Sequence, residues 1–136
     1  MTLVERLAQL RRHLDHLRTL APRVPGPDAL STDLSLHNDV LFSLLSVCQL
    51  VINIAGALVA EEGHPFEDYT QAVSSLRHLD GFPAEMVERL ARLPGFRNIL
   101  IHEYVALDFE LVVDAVRELG PVEDFVRVVA ERISRS

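Results

Sequence analysis

The sequence predicts an all-α bundle with a long apolar central helix, and three observations predict it. Leu3, Leu7, Leu10, Leu14 and Leu17 are spaced four, three, four and three residues apart, the interval that lines up side chains on one face of a helix. The 21 residues from Val40 to Ala60 carry no charge, as expected of a helix with aliphatic packing on most of its sides. No segment alternates apolar and polar residues between hairpin turns, so nothing argues for a sheet.

The elements follow in order. The leucine face ends at Ala21-Pro22, and Pro22 to Asp28, with three prolines and a glycine, reads as a connector. Ser31, Thr32 and Asp33 offer N-caps for a long second helix running to about Glu62, where Gly63-His64-Pro65 breaks it. A third helix covers about Phe66 to Leu79, with Glu67 and Asp68 in the first turn as the helix dipole favours. Asp80-Gly81-Phe82-Pro83 is a turn. A fourth helix starts at Pro83 and passes Leu90 and Leu93 to Pro94-Gly95, which should break or kink it before Phe96 to His102 continue helically. Asp108 can cap a helix carrying Leu111, Val112, Ala115, Val116 and Leu119. Gly120-Pro121 interrupts, and Val122 to Ile133 forms a last amphipathic helix. No repeat, low-complexity tract or long linker divides the chain, so residues 1–136 read as a single domain.

Composition narrows the function. Apolar residues make up 49% and charged residues 24%, values of a globular domain and too apolar for a disordered one. A formal charge of −7 argues against a surface that coats nucleic acid, though one local basic site is compatible with it. All 13 basic residues are arginine, which excludes a Schiff-base lysine or a phosphate-cradling Walker lysine. One cysteine, Cys48, forbids an internal disulfide and a thiolate cluster. The N-terminus alternates charge with leucine rather than opening into a signal-peptide core, so a cytoplasmic protein is expected. Val40 to Ala60 is long enough to cross a bilayer. However, Ser46, Gln49, Asn53, Gly56 and Ala60 fall within an arc of roughly 80° on a helix. Two amides near the middle of a lone span would be costly, and no aromatic belt flanks it. A buried helix with one polar stripe facing a groove or partner is the better reading.

The residues with chemistry cluster in Gly95 to Tyr104, where Arg97, Asn98, His102 and Tyr104 interrupt aliphatic sequence. Asn98 and His102 are four apart and share a helix face, and Arg97 and Tyr104, seven apart, share another. Arg97 and His102 sit about 140° apart around the axis. They converge if the helix unwinds near His102, or across a two-fold axis pairing two copies of it. Neutral histidine takes a proton near pH 7, and arginine binds phosphate through two parallel hydrogen bonds. Together they suit metal-independent RNA cleavage, with histidine helping to deprotonate the ribose 2′-hydroxyl and arginine holding the charge on the phosphorane. The plainer alternative pairs Arg97 with Glu103 or another surface acid and leaves His102 a satisfied polar residue.

The string Phe96-Arg97-Asn98-x-Leu100-x-His102-x-Tyr104, preceded by Gly95 and followed by Asp108, resembles the Arg-x4-His-x-Tyr signature of HepT-type toxins. These are small members of the HEPN (higher eukaryote and prokaryote nucleotide-binding) superfamily. The resemblance covers nearly the whole chain, from the leucine-rich first helix through the apolar second helix with Gln49 and Asn53 to the terminal helix. It implies a HEPN-type helical bundle that dimerises with itself and forms an RNase site at the dimer cleft. It also implies a type VII-like toxin–antitoxin pair. There the antitoxin, a minimal nucleotidyltransferase of the MntA type, transfers AMP from ATP to the motif tyrosine. Carried over, Arg97 and His102 are catalytic and Tyr104 is the AMPylation site, with Asn98, Asn53 and Gln49 supporting; no metal or cofactor is implied. A nucleotide on Tyr104, two residues from His102, would block the cleft and repel an RNA phosphate. Many relatives carry an acid on the second helix where this chain has Asn53, which hydrogen-bonds but cannot stabilise a histidinium by charge.

A second reading is a non-catalytic module that docks a nucleotidyltransferase or binds nucleotides through Arg97. Elsewhere, His13, Asp15 and His16 imitate a metal site, but Arg11, Arg12 and Arg18 would repel a cation, so a solvated face is expected. Ser46, Gln49 and Asn53 either line an RNA cleft or bridge helices. Cys48 reads as a small buried apolar residue. His37, His64 and His78 lie near helix ends and need no function. Arg77, Arg89 and Arg92 are either phosphate contacts or partners in ion pairs with Asp80, Glu85 and Glu88.

Overall fold

The first helix, α1 (Leu3–Leu20), buries Leu7, Leu10, Leu14 and Leu17, the face that the four-three spacing defines. Its start is fixed twice: Thr2 Oγ1 accepts from the Glu5 N–H at 3.1 Å, and Glu5 Oε2 accepts from the Thr2 N–H at 3.2 Å. The computed structural model describes residues 1–136 except the side chain of Tyr104. Among the described residues there is no strand.

α1 packs most extensively on α3 (Leu34–Glu61), the uncharged helix, which is also contacted by α2 (Pro27–Thr32), α4 (Tyr69–Ser74) and α6 (Leu93–His102). Val40, Leu44, Val47, Val51, Ile54, Ala55 and Leu58 of α3 are buried within one continuous core. The helix is long and apolar enough to span a bilayer, but half of that apolar stretch is buried inside the bundle. Asp33 starts it, its carboxylate accepting from the Leu36 N–H at 3.1 Å. Gly63, at φ +81°, stops it. The His64 N–H reaches Val59 O and the Gly63 N–H reaches Ala60 O, a Schellman end for which only glycine is unstrained. Asp33→Ala removes the cap of the longest helix and is expected to destabilise the fold by about 0.5–2 kcal/mol. A shift of the urea midpoint at unchanged slope would register it.

The remaining helices are α5 (Ala84–Leu90), α7 (Phe109–Arg117) and α8 (Gly120–Arg135). α8 lies on α1 and α5, burying Phe125 and Val129. Ion pairs of Arg18 with Glu123 and of Arg132 with Glu62 tie it to α1 and to the end of α3.

Four expectations need correction. The last two residues of the proline-rich connector already open a helix, because Pro27 sits in the first turn of α2, where its missing N–H and fixed φ are tolerated. Ser31 and Thr32 belong to that helix and donate to Asp28 O, so Asp33 alone caps α3. The third helix begins at Tyr69, capped by Asp68, and tightens at Ser75–His78 into a 3₁₀ turn. Pro94 and Gly95 open α6 rather than end the helix before it; the break falls at Ala91–Arg92.

Candidate active site

α6 is seated on α3 through Leu93, Phe96 and Leu100, which pack against the core. That register leaves Arg97 half-buried between the two helices. Its Nε donates to Gln49 Oε1 at 3.1 Å, and its Nη1 donates to Asn98 Oδ1 at 3.0 Å. Gln49 Nε2 donates in turn to Asn53 Oδ1 at 3.0 Å, one turn along α3. A hydrogen-bonded chain of Asn98, Arg97, Gln49 and Asn53 therefore joins α6 to α3. The polar stripe of α3 does bridge helices, through Gln49.

Both acceptors for Arg97 are neutral amide oxygens. They direct the guanidinium without cancelling its charge, as a carboxylate would. Among the described residues no acid lies within ion-pairing distance of Arg97, so the surface pair with Glu103 is not formed. Burial pushes the nearby Cys48 thiol up to about 12, against smaller downward pulls from its own backbone hydrogen bond and from the Arg97 charge. The cysteine is an inert buried residue.

His102 is the last residue of α6 and is exposed. The Glu103 N–H donates to Ile99 O, so the helix stays regular through His102. Asn98 and His102 thus lie one turn apart on one face. Arg97 and His102 are separated by about 7.5 Å along the axis and about 140° around it. The unwinding that would bring both to one phosphate within a single chain does not occur before His102.

Tyr104 follows the end of the helix. Glu103 caps α6 and a separate turn covers Tyr104–Ala106, so the seven-residue helical relation between Arg97 and Tyr104 does not hold. The side chain of Tyr104, the expected modification site, lies outside the described residues.

One neighbour of Arg97 was not legible in the sequence. Tyr69, the first residue of α4, holds its ring centroid 5.9 Å from Arg97 Cζ, within cation–π reach. Twenty-eight residues separate the two, and no periodicity links them; only the packing of α4 on α6 does.

The other histidines stay outside this cluster. His16 pairs with Asp39 at 2.9 Å and the His13 ring lies 5.8 Å from Phe42. Desolvation, then the charges of Arg12 and His16, lower the His13 pKa. No metal-ligating group of three occurs among the described residues. His64 and His78 stack on each other at 5.2 Å, and Arg89 pairs with Glu85 at 3.5 Å, the ion-pair alternative for that arginine.

Comparison with known proteins gives a consistent picture. A family model described as Ribonuclease HepT-like matches residues 7–129. A protein of Archaeoglobus fulgidus, whose name carries a provisional RNase assignment, is 31% identical over 93 residues, covering 68% of this chain and 70% of the relative. The mRNA nuclease HepT of Shewanella oneidensis is 26% identical over 100 residues, 71% of this chain and 74% of the relative. Among solved structures, the tri-AMPylated Shewanella oneidensis HEPN toxin in complex with MNT antitoxin superposes with a TM-score of 0.80 at 20% identity. That match covers 96% of this chain and 99% of the other, so the two share a fold.

Proposed function

The chain belongs to the HepT-like family, and from that membership and the Arg97 geometry we propose that it is an RNase toxin of a toxin–antitoxin pair, acting as a homodimer without a metal ion. The observation that carries this reading is Arg97 held by neutral amides at the α3–α6 seam: a fixed, uncancelled positive charge is what a phosphate in flight requires. Gln49 and Asn98 use two of its five N–H groups, leaving the rest to the phosphate oxygens.

His102, on the same helix but turned away, serves a phosphate held by the Arg97 of the second protomer across the two-fold axis. Its imidazole takes the ribose 2′-proton, the 2′-oxygen attacks phosphorus, and the P–O5′ bond breaks. The 5′-oxygen leaves with a proton from solvent. Charge on the pentacoordinate phosphorus rests on the guanidinium. Asn98, one turn from His102, is placed to hydrogen-bond the ribose or phosphate.

The partner is a minimal nucleotidyltransferase of the MntA type that transfers AMP to Tyr104. The relative solved as an AMPylated toxin with its antitoxin supports that assignment. The bulky anionic nucleotide would occupy the cleft beside His102 and repel RNA. Two outcomes test the proposal. Cleavage of RNA by the purified chain should persist in excess EDTA; loss of cleavage there contradicts the metal-free chemistry. Incubation with the cognate nucleotidyltransferase and ATP should add AMP mass and silence cleavage, and a mass increment surviving Tyr104→Phe removes Tyr104 as sole acceptor.

One observation favours the second reading, a non-catalytic docking module. Asn53 is neutral and hydrogen-bonds Gln49, so it supplies no charge to a histidinium. Expression of the chain without its partner separates the two: a nuclease arrests growth, a docking subunit does not.

A further inference from the structure

A shallow groove of about 220 Å³ lies beside the Arg97 seam, lined by Arg6, Asn53, Gly56, Phe66 and Tyr69 among others. Its two aromatic rings are solvent-facing, Phe66 at 37% and Tyr69 at 48% exposure, whereas Phe82 and Phe125 are buried in the core. Both rings are held in place. Phe66 lies against α3 over Gly56, where even an added Cβ would sit at ordinary contact distance from the ring, 3.4 Å. Tyr69 is fixed by the cap of α4, where Asp68 accepts from the Gln71 N–H at 2.8 Å, and its ring faces the guanidinium of Arg97. The groove thus combines exposed aromatic faces, an amide at Asn53 and two arginines, Arg6 on its wall and Arg97 against Tyr69.

We propose that Tyr69 and Phe66 form a stacking platform for an unpaired base of single-stranded RNA adjoining the phosphate held by Arg97. The inference rests on the nuclease reading and names its substrate more closely. A base needs an apolar face of its own size, its edge needs an amide, and the neighbouring phosphate needs a guanidinium within one nucleotide. Glu67 and Asp68 adjoin the rings, but Asp68 is engaged as the α4 cap, and the groove itself is lined by one arginine, Arg6, and no acid. Double-stranded RNA is excluded from such a platform because its bases are already stacked.

The chain has no tryptophan and only two tyrosines, so replacing Tyr104 leaves Tyr69 as its only source of tyrosine fluorescence. The experiment uses the His102→Ala, Tyr104→Phe double variant with a short single-stranded oligoribonucleotide, and AMP alone in a parallel arm. Saturable quenching by the oligonucleotide is expected, with AMP binding far more weakly. In the otherwise intact protein, Tyr69→Ala should raise KM for RNA about 5- to 150-fold with kcat nearly unchanged, and Tyr69→Phe, which keeps the ring, should restore it. Phe66→Leu gives a second reading if Tyr69→Ala fails to fold. Quenching by AMP as tight as that by the oligonucleotide, or Tyr69 emission indifferent to RNA while the intact protein cleaves it, overturns the platform. Absence of cleavage by the intact protein overturns the nuclease reading instead.

Discussion

Replacing His102 with alanine should lower RNA cleavage by about 10²- to 10⁴-fold, the contribution of a positioned proton acceptor. The same change should leave the fold intact. His102 is exposed at the end of α6 and alanine is the best helix former, so stability should move by no more than about 0.5 kcal/mol. Growth arrest on expression should disappear with cleavage, while circular dichroism and dimer mass stay at the parental values. A His102→Ala protein that cleaves RNA like its parent would remove His102 from the reaction.

Arg97→Ala should cost cleavage about 10²- to 10³-fold, as removal of a fixed donor to a developing oxyanion does elsewhere. It differs from the histidine change in also disturbing the fold. Gln49 loses the donor that ties it to α6, and Asn98 loses its partner, so a further loss of roughly 1 kcal/mol in stability is expected. Arg97→Lys keeps the charge but cannot reproduce a planar fork reaching Gln49 and a phosphate together. It should therefore recover only a small part of the rate. Measuring both variants by cleavage rate and urea midpoint separates the catalytic loss from the structural one.

The parts of this molecule legible in its sequence are those governed by local periodicity. The leucine face of α1 and the uncharged run of α3 both emerged as the core helices their patterns imply. Proline was harder to read, because the same residue ends a helix from inside and begins one from its first turn. Pro27 and Pro94 both begin one, which hid α2 and moved the start of α6. At the site, the spacing of Arg97 and His102 was visible and their divergence on a regular helix could be calculated. The contact between Arg97 and Gln49, 48 residues apart, depends on how two helices pack, which no local pattern encodes. Tyr69 was missed for the same reason. Tyr104 was placed by helical spacing that ends at His102, so its relation to Arg97 was misjudged.

The account depends on Arg97 of one protomer and His102 of the other serving one phosphate. Mixing Arg97→Ala with His102→Ala protein, under conditions that exchange subunits, tests this most directly. Half of the dimers formed are then mixed, and each mixed dimer holds one intact site from its two unaltered residues. The account predicts that cleavage, nearly absent from either variant alone, returns to about a quarter of the parental rate. A mixture as inactive as its components, with subunit exchange verified by mass, would contradict it.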